Sequence, residues 1–177
     1  CLRILRFDEI MFGESNDDFY GILFDGAWLW EEYCNTILRK FGFIHPENKN
    51  GTGSLSLFTN GTGRRYPDFY NNNAVIDAKY KRYEGNQVSD VGRDDLHQII
   101  AYMYIRKASC GAFLSPFNCH ITNIANSILN GYGGRISLLG IEIPNDSTSY
   151  THFCDEMKKS EDRFTNNLKE FLSCILA

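Results

Sequence analysis

"PDFYNNNAVIDAKYK", Pro67 to Lys81, sets two carboxylates and a lysine in a stretch that otherwise reads as a strand hairpin. The three asparagines Asn71, Asn72 and Asn73 mark a turn, because their side chains bond nearby backbone. "AVIDAKY" after them reads as a strand. Side chains alternate along a strand, so Val75, Asp77 and Lys79 share one face and Ala74, Ile76, Ala78 and Tyr80 the other. Ionised groups on such a face cost free energy unless they are paired or coordinated. An antiparallel return through the turn brings Asp68 beside Asp77. One reading is a plain Asp77–Lys79 salt bridge on an exposed strand. The other is a pair of carboxylates with an adjacent lysine, a set that suits a hard cation such as Mg²⁺. A cation held there can bind a phosphate oxygen and activate a water. The lysine can orient or deprotonate that water, or stabilise developing charge.

Upstream, "DGAWLWEEYCNTILRKFG" predicts a helix with Asp25 as N-cap and Gly42 as its end. A helical wheel gathers Leu29, Trp30, Tyr33, Cys34, Ile37, Leu38 and Phe41 on one broad apolar face. Glu31 lies at the margin of that face and Glu32 points away from it, so Glu31 is the acid that borders the core. Between this helix and the hairpin, "NGTG" occurs at Asn50–Gly53 and again at Asn60–Gly63. Asn-Gly is a strong hairpin signal, so the region is expected to be a β-meander with "SLSLF" as one strand. Neither site has the Lys-Ser/Thr ending of a phosphate-cradling loop.

Downstream, "RDDLHQIIAYMYIRKA" predicts a second helix whose main apolar face is Leu96, Ile99, Ile100 and Met103. Gln98 and Tyr102 are four apart and share another face. His97 is expected at the surface. "CGAFLSPF" and "RISLLGIEIP" read as strands, "HITNIANSILNGYGG" as a loop with a helical piece, and a last amphipathic helix runs from about Tyr150 to Cys174. The order implies an α/β fold, a mixed central sheet with an antiparallel meander flanked by helices.

The 177 residues suit a single domain, and the chain, which starts at Cys1, reads as the C-terminal part of a longer one, with 1–20 the tail of a preceding segment. The six cysteines are scattered without a CxxC pair, as in a reduced cytoplasmic protein; a zinc site from Cys110, Cys119 and His120 is conceivable. No apolar run approaches a membrane span. Net charge is −4, which argues against binding nucleic acid by overall charge. The charge is uneven, however. From Arg64 to Lys107 there are eight Lys/Arg against six Asp/Glu, so the middle of the chain is locally basic. Lys81 and Arg82 are candidate phosphate contacts there, or an ordinary solvated strand end.

Pro67-Asp68, eight residues, then Asp77-Ala78-Lys79 resembles the PD-(D/E)xK nuclease motif. Gln98-Ile-Ile-Ala-Tyr102 resembles the Gln-x3-Tyr motif of one branch of that superfamily. "LFDGAWLWEEY", "RRYPDFY", "VIDAKYK" and "DLHQIIAYMY" come in the order seen in McrC, the nuclease subunit of McrBC-type restriction systems, with the LlaJI-type subunit a close relative. The resemblance implies a restriction-endonuclease-like core and a Mg²⁺-dependent DNA endonuclease, with Mn²⁺ as an alternative cation. In it Asp68 and Asp77 are the metal ligands and Lys79 the catalytic lysine. Glu31 is the first-helix acid, with Glu32 its rival. Gln98, and with it Tyr102, positions the DNA strand or the metal water. The implied partners are double-stranded DNA, a McrB-like AAA+ GTPase, and a second copy of the chain for a double-strand break. The alternatives are a RecB-like exonuclease or repair nuclease, and a catalytically silent partner-binding domain.

Overall fold

The computed structural model describes residues 25–46, 51, 53–81, 87–118, 125–131 and 133–173. In chain order these form α1 (Gly26–Leu38), β1 (Leu55–Ser56), β2 (Arg64–Arg65), β3 (Phe69–Tyr70), β4 (Ala74–Ala78), α2 (Arg93–Arg106), β5 (Cys110–Phe117), β6 (Ala125–Ile128), β7 (Arg135–Glu142) and α3 (Tyr150–Ser173). Short 3₁₀ turns follow α1 at Arg39–Phe41 and precede α2 at Val88–Asp90.

The Asn71–Asn73 turn folds as the sequence predicts. Asn71 Oδ1 accepts the N–H groups of Asn73 and Ala74, and β3 returns antiparallel on β4 with Phe69 opposite Ile76 and Tyr70 opposite Val75. β4, β5 and β7 then run parallel, and β6 closes the far edge antiparallel to β7, giving the sheet order β3-β4-β5-β7-β6. The central strands are buried on both faces, as parallel strands covered by helices must be.

Alternation divides their side chains between two layers. Ala74, Ile76, Ala112, Leu114, Leu139 and Ile141 meet α1 and α3, through Trp30, Cys34, Leu38, Phe164, Leu168 and Phe171 among others. Phe113, Ile136 and Leu138 meet α2 at Ile99 and Met103. Gly111 lets α2 come close, since a Cβ there would lie 2.6 Å from Met103 Sδ. Asp25 caps α1 by accepting the Trp28 N–H, and Gly42 ends the following turn at φ 75°, a left-handed conformation that glycine adopts without strain.

Three expectations change. The meander divides: β1 and β2 pair only with each other, and the chain passes Tyr66 and Pro67 before it enters the main sheet. Pairing with β1 ends at Arg65 and pairing with β4 starts at Phe69, and Pro67, which has no N–H to give a ladder, lies in the gap. The stretch expected as loop and helix contains β6, whose strand state comes from pairing with β7 and from the Ser137 Oγ–Asn126 Oδ1 hydrogen bond of 2.6 Å. On α2, Ile100 stays partly exposed and Tyr102 takes the buried place, so the inward stripe is Ile99, Tyr102 and Met103. Cys110 packs in the core, while Cys119, His120 and Cys174 lie outside the described residues. No helix among the described residues is long and apolar enough to cross a membrane.

Candidate active site

Asp77 lies near the carboxyl end of β4, on the face that turns toward α2, and is 2 % exposed. This rules out a salt bridge on an exposed strand face. The hairpin register carries Asp68 back to the same strand end, where its Oδ2 accepts the N–H of Ala78 at 2.8 Å. The Asp68 and Asp77 carboxyls lie within hydrogen-bonding reach of each other. Burial, then the charges of Asp77 and Glu31, push the Asp68 carboxyl well above its ordinary range, against the pull of the Ala78 N–H and Lys79. Burial also raises Asp77, with Lys79 opposing it. Two acids in contact out of water cannot both ionise cheaply, so the pair holds a proton more tightly than either acid would alone.

Lys79 leaves β4 with its N–H donated to the Leu114 carbonyl at 2.9 Å. Its ammonium reaches Asp77 Oδ2 at 2.7 Å, Asp95 Oδ1 at 3.0 Å and Gln98 Oε1 at 3.2 Å. Burial works against that charge, but Asp77 and Asp95 outweigh it and hold the lysine above its ordinary value. Lys79 is therefore a fixed cation here rather than a free base. Its approach to Asp77 Oδ2 is an ion-pair contact off the hydrogen-bonding direction, which leaves that buried oxygen without an aligned donor.

Gln98 is held in turn. Its Nε2 donates to the Tyr102 hydroxyl at 2.6 Å, and that hydroxyl donates to the Tyr66 carbonyl at 2.9 Å. Tyr102 is 1 % exposed, so its place is behind Gln98, with its hydroxyl between Gln98 and the Tyr66 carbonyl. Lys81 is exposed at the strand end and pairs with Asp95, while Arg82 lies outside the described residues.

Glu31 reaches the site through its neighbour. The Trp30 indole N–H donates to the Leu114 carbonyl at 3.1 Å, the same oxygen that accepts from Lys79, and this ties α1 against the strand end. Glu31 is half-buried, and its charge acts on both Asp68 and Cys34. Glu32 lies 3.7 Å from His45 Nε2, and of the two glutamates it is Glu31 whose charge acts on Asp68.

Two residues at the site escaped the reading of the sequence. Asp95 stands three residues before Gln98 and seven before Tyr102, a spacing that puts all three on one helix face and could have revealed it. His45 stacks on Phe69 and bonds the Asp68 carbonyl through Nδ1 at 2.7 Å. It follows a turn and precedes Pro46, and no periodicity points to it.

Among the described residues, no three His, Cys, Asp or Glu side chains converge as a ready-made metal cage. The Asp68–Asp77 pair nonetheless fits a small hard cation. It gathers acidic oxygens, one of them lacking an aligned donor, at a point where bound positive charge would relieve their mutual repulsion.

The family described as McrBC 5-methylcytosine restriction system component matches residues 1–114, more than half of the chain. No curated protein matches. A chain in a solved Thermococcus gammatolerans assembly, described as a refined half-complex from a tetradecameric assembly of McrB AAA+ hexamers with bound McrC, is similar in fold. The TM-score is 0.58 at 16% identity, over 84% of this chain and 34% of that one. The chain thus spans about a third of the length of the protein it resembles. The family match takes in Glu31, Asp68, Asp77, Lys79, Gln98 and Tyr102 together, and the chain belongs to the McrBC 5-methylcytosine restriction system component family.

Proposed function

We propose that this chain carries the DNA-cleaving site of a McrBC-type restriction system, a metal-dependent endonuclease of the PD-(D/E)xK kind. The observation that carries the reading is the buried Asp68–Asp77 pair with the Lys79 ammonium 2.7 Å from Asp77 Oδ2. Asp68 and Asp77 would hold Mg²⁺ or Mn²⁺, with Glu31 adding negative charge beside Asp68. Such a cation, when bound, polarises the scissile phosphodiester and lowers the pKa of an attacking water. Lys79 supplies fixed positive charge next to the reacting phosphate, where preorganised charge lowers a barrier most effectively. Gln98 keeps that ammonium in place, and Tyr102 keeps Gln98 in place through Tyr66. To serve as a ligand, Asp68 would have to be ionised, its proton passing to solvent, and the positive charge of a bound cation would favour that form.

The solved relative is an assembly with AAA+ hexamers. By that likeness we infer that a GTP-driven AAA+ ring delivers double-stranded DNA to this chain. One site per chain then calls for two chains to break both strands.

The test is cleavage of supercoiled plasmid with Mg²⁺, with and without the partner ring. Circles without ends separate an endonuclease from a RecB-like exonuclease. The reading expects cutting that EDTA and Asp77→Ala both abolish. Cutting that survives Asp77→Ala would place the chemistry elsewhere, and partner binding without cutting under any condition would favour a silent domain.

A further inference from the structure

We propose that Asp95 is a positioning residue for the hydrolytic site, holding the ammonium groups of Lys79 and Lys81 side by side at the end of β4. The inference rests on the nuclease reading and adds to it a residue that none of its motifs contains.

Asp95 gives one oxygen to each lysine: Oδ1 lies 3.0 Å from Lys79 Nζ, and Oδ2 meets Lys81 Nζ. Lys79 and Lys81 follow the end of β4, and their shared contact with Asp95 puts both ammonium groups on the same side. Asp95 comes from the first turn of α2 and is itself mostly buried. Gln98, one helical turn on, adds its own oxygen to Lys79. The Lys79 ammonium therefore has three oxygen partners, and two of them, Asp95 and Gln98, sit on α2.

That division has a consequence. Asp77 and Asp95 compete for one ammonium group. Lys79 already sits 2.7 Å from Asp77 Oδ2, and without Asp95 that carboxylate would be its only charged partner. With Asp95, Lys79 has an anchor on α2, through Asp95 and Gln98, that would remain if Asp77 were to serve as a cation ligand. Lys81, half exposed, is presented beside Lys79 as a second cation for a DNA phosphate.

The experiment is single-turnover cleavage of supercoiled plasmid by the full chain with its partner ring and Mg²⁺, read as the rate at saturating DNA and the half-saturating DNA concentration. Asp95→Asn keeps the shape and loses the charge. It should cut about 10–100-fold more slowly, as loss of an outer partner of an active-site group commonly does, without a rise in the half-saturating concentration. Asp95→Glu should recover part of the rate. Asp94→Asn, a fully exposed acid in the same turn, should cut at the unchanged rate. Melting curves are recorded alongside; should Asp95→Asn fail to fold, Asp95→Glu decides, retained cutting supporting the proposal and abolished cutting overturning it. A normal rate in Asp95→Asn, with Asp77→Ala inactive, overturns the proposal and leaves the nuclease reading standing. Equal losses in Asp94→Asn and Asp95→Asn reduce the effect to helix charge and also overturn it. Cutting that is the same in wild type and Asp77→Ala sinks the nuclease reading and this proposal together.

Discussion

Two carboxylates stand near the carboxyl ends of mutually parallel strands, and they have been put to different uses. Glu142 at the end of β7 meets Arg163 of α3 with Oε2 and Nη2 2.6 Å apart, while its own backbone carbonyl accepts the Ser160 hydroxyl at 2.7 Å. The two charges meet directly, and both keep contact with water. Asp77 at the end of β4 is out of water, shares its lysine with Asp95, and lies against a second acid. The first arrangement is an ordinary ion pair that fastens a helix to a strand. The second gathers more acid than it can easily hold ionised: Asp68, Asp77 and Asp95 crowd around Lys79 and Lys81, and Asp68 is pushed well above its ordinary range. Such an excess costs stability, and a chain retains it where the charge has a further use.

The largest effect should come from removing the cation on the frustrated side. Lys79→Ala is expected to lower the cleavage rate about 10²–10³-fold, the size seen when one preorganised stabiliser of transition-state charge is lost. A rate within twofold of wild type would show that the lysine serves only to fasten the strand end, as Arg163 does for α3.

A second, smaller contrast is thermodynamic. The folded Asp68 carboxyl sits above its unfolded value of about 3.9. Its contribution to stability is therefore fully present below that unfolded value, and it is lost as pH rises through the folded one. Asp68→Asn removes this dependence, because an amide does not ionise, and its oxygen can still accept the Ala78 N–H. In EDTA at pH 7 the variant should melt higher than wild type, with the gap closing as pH falls to about 4. Mg²⁺ should raise the melting temperature of wild type at pH 7 and leave the variant nearly unmoved, since only a state that binds the cation gains from it. A variant less stable than wild type at pH 7 in EDTA would mean that the acid pair is not frustrated at all.

How far the sequence disclosed this follows from where each residue's position is decided. Asp68, Asp77 and Lys79 were legible because a turn and strand alternation fix them locally, and Gln98 with Tyr102 because helical spacing does. The wheel also separated Glu31 from Glu32, and the structure turns Glu32 toward His45. The parts that were not legible depend on contacts distant in sequence. β6 is a strand because β7 pairs with it, and β1–β2 is a separate ribbon because its two strands pair with each other while β3 pairs with β4. Tyr102 is buried and Ile100 exposed because Tyr66 offers a carbonyl to the hydroxyl, a partner 36 residues away that no periodicity announces. Asp95 was missed for another reason: in sequence it looks like a first-turn acid suited to any helix start. Its two lysines come together only when β4 and α2 pack.

The smallest expected effect belongs to the satisfied side. Arg163→Ala removes the partner of Glu142, but both groups are partly exposed, so the loss should be about 0.2–1 kcal/mol, typical of an ion pair that water already screens. For a chain of this size that is a fall of about 0.4–4 °C in melting temperature. The Ser160 hydroxyl still bonds the Glu142 carbonyl, and Phe164, Leu168 and Phe171 still bury the inner face of α3, so the helix should stay docked. Cleavage should be unchanged. If Arg163→Ala instead slowed cutting as severely as Lys79→Ala, while melting stayed within that narrow range, the two strand ends would be parts of one charged surface. Glu142 and Arg163 would then have to be read together with Lys79 and Lys81, as groups that meet the DNA.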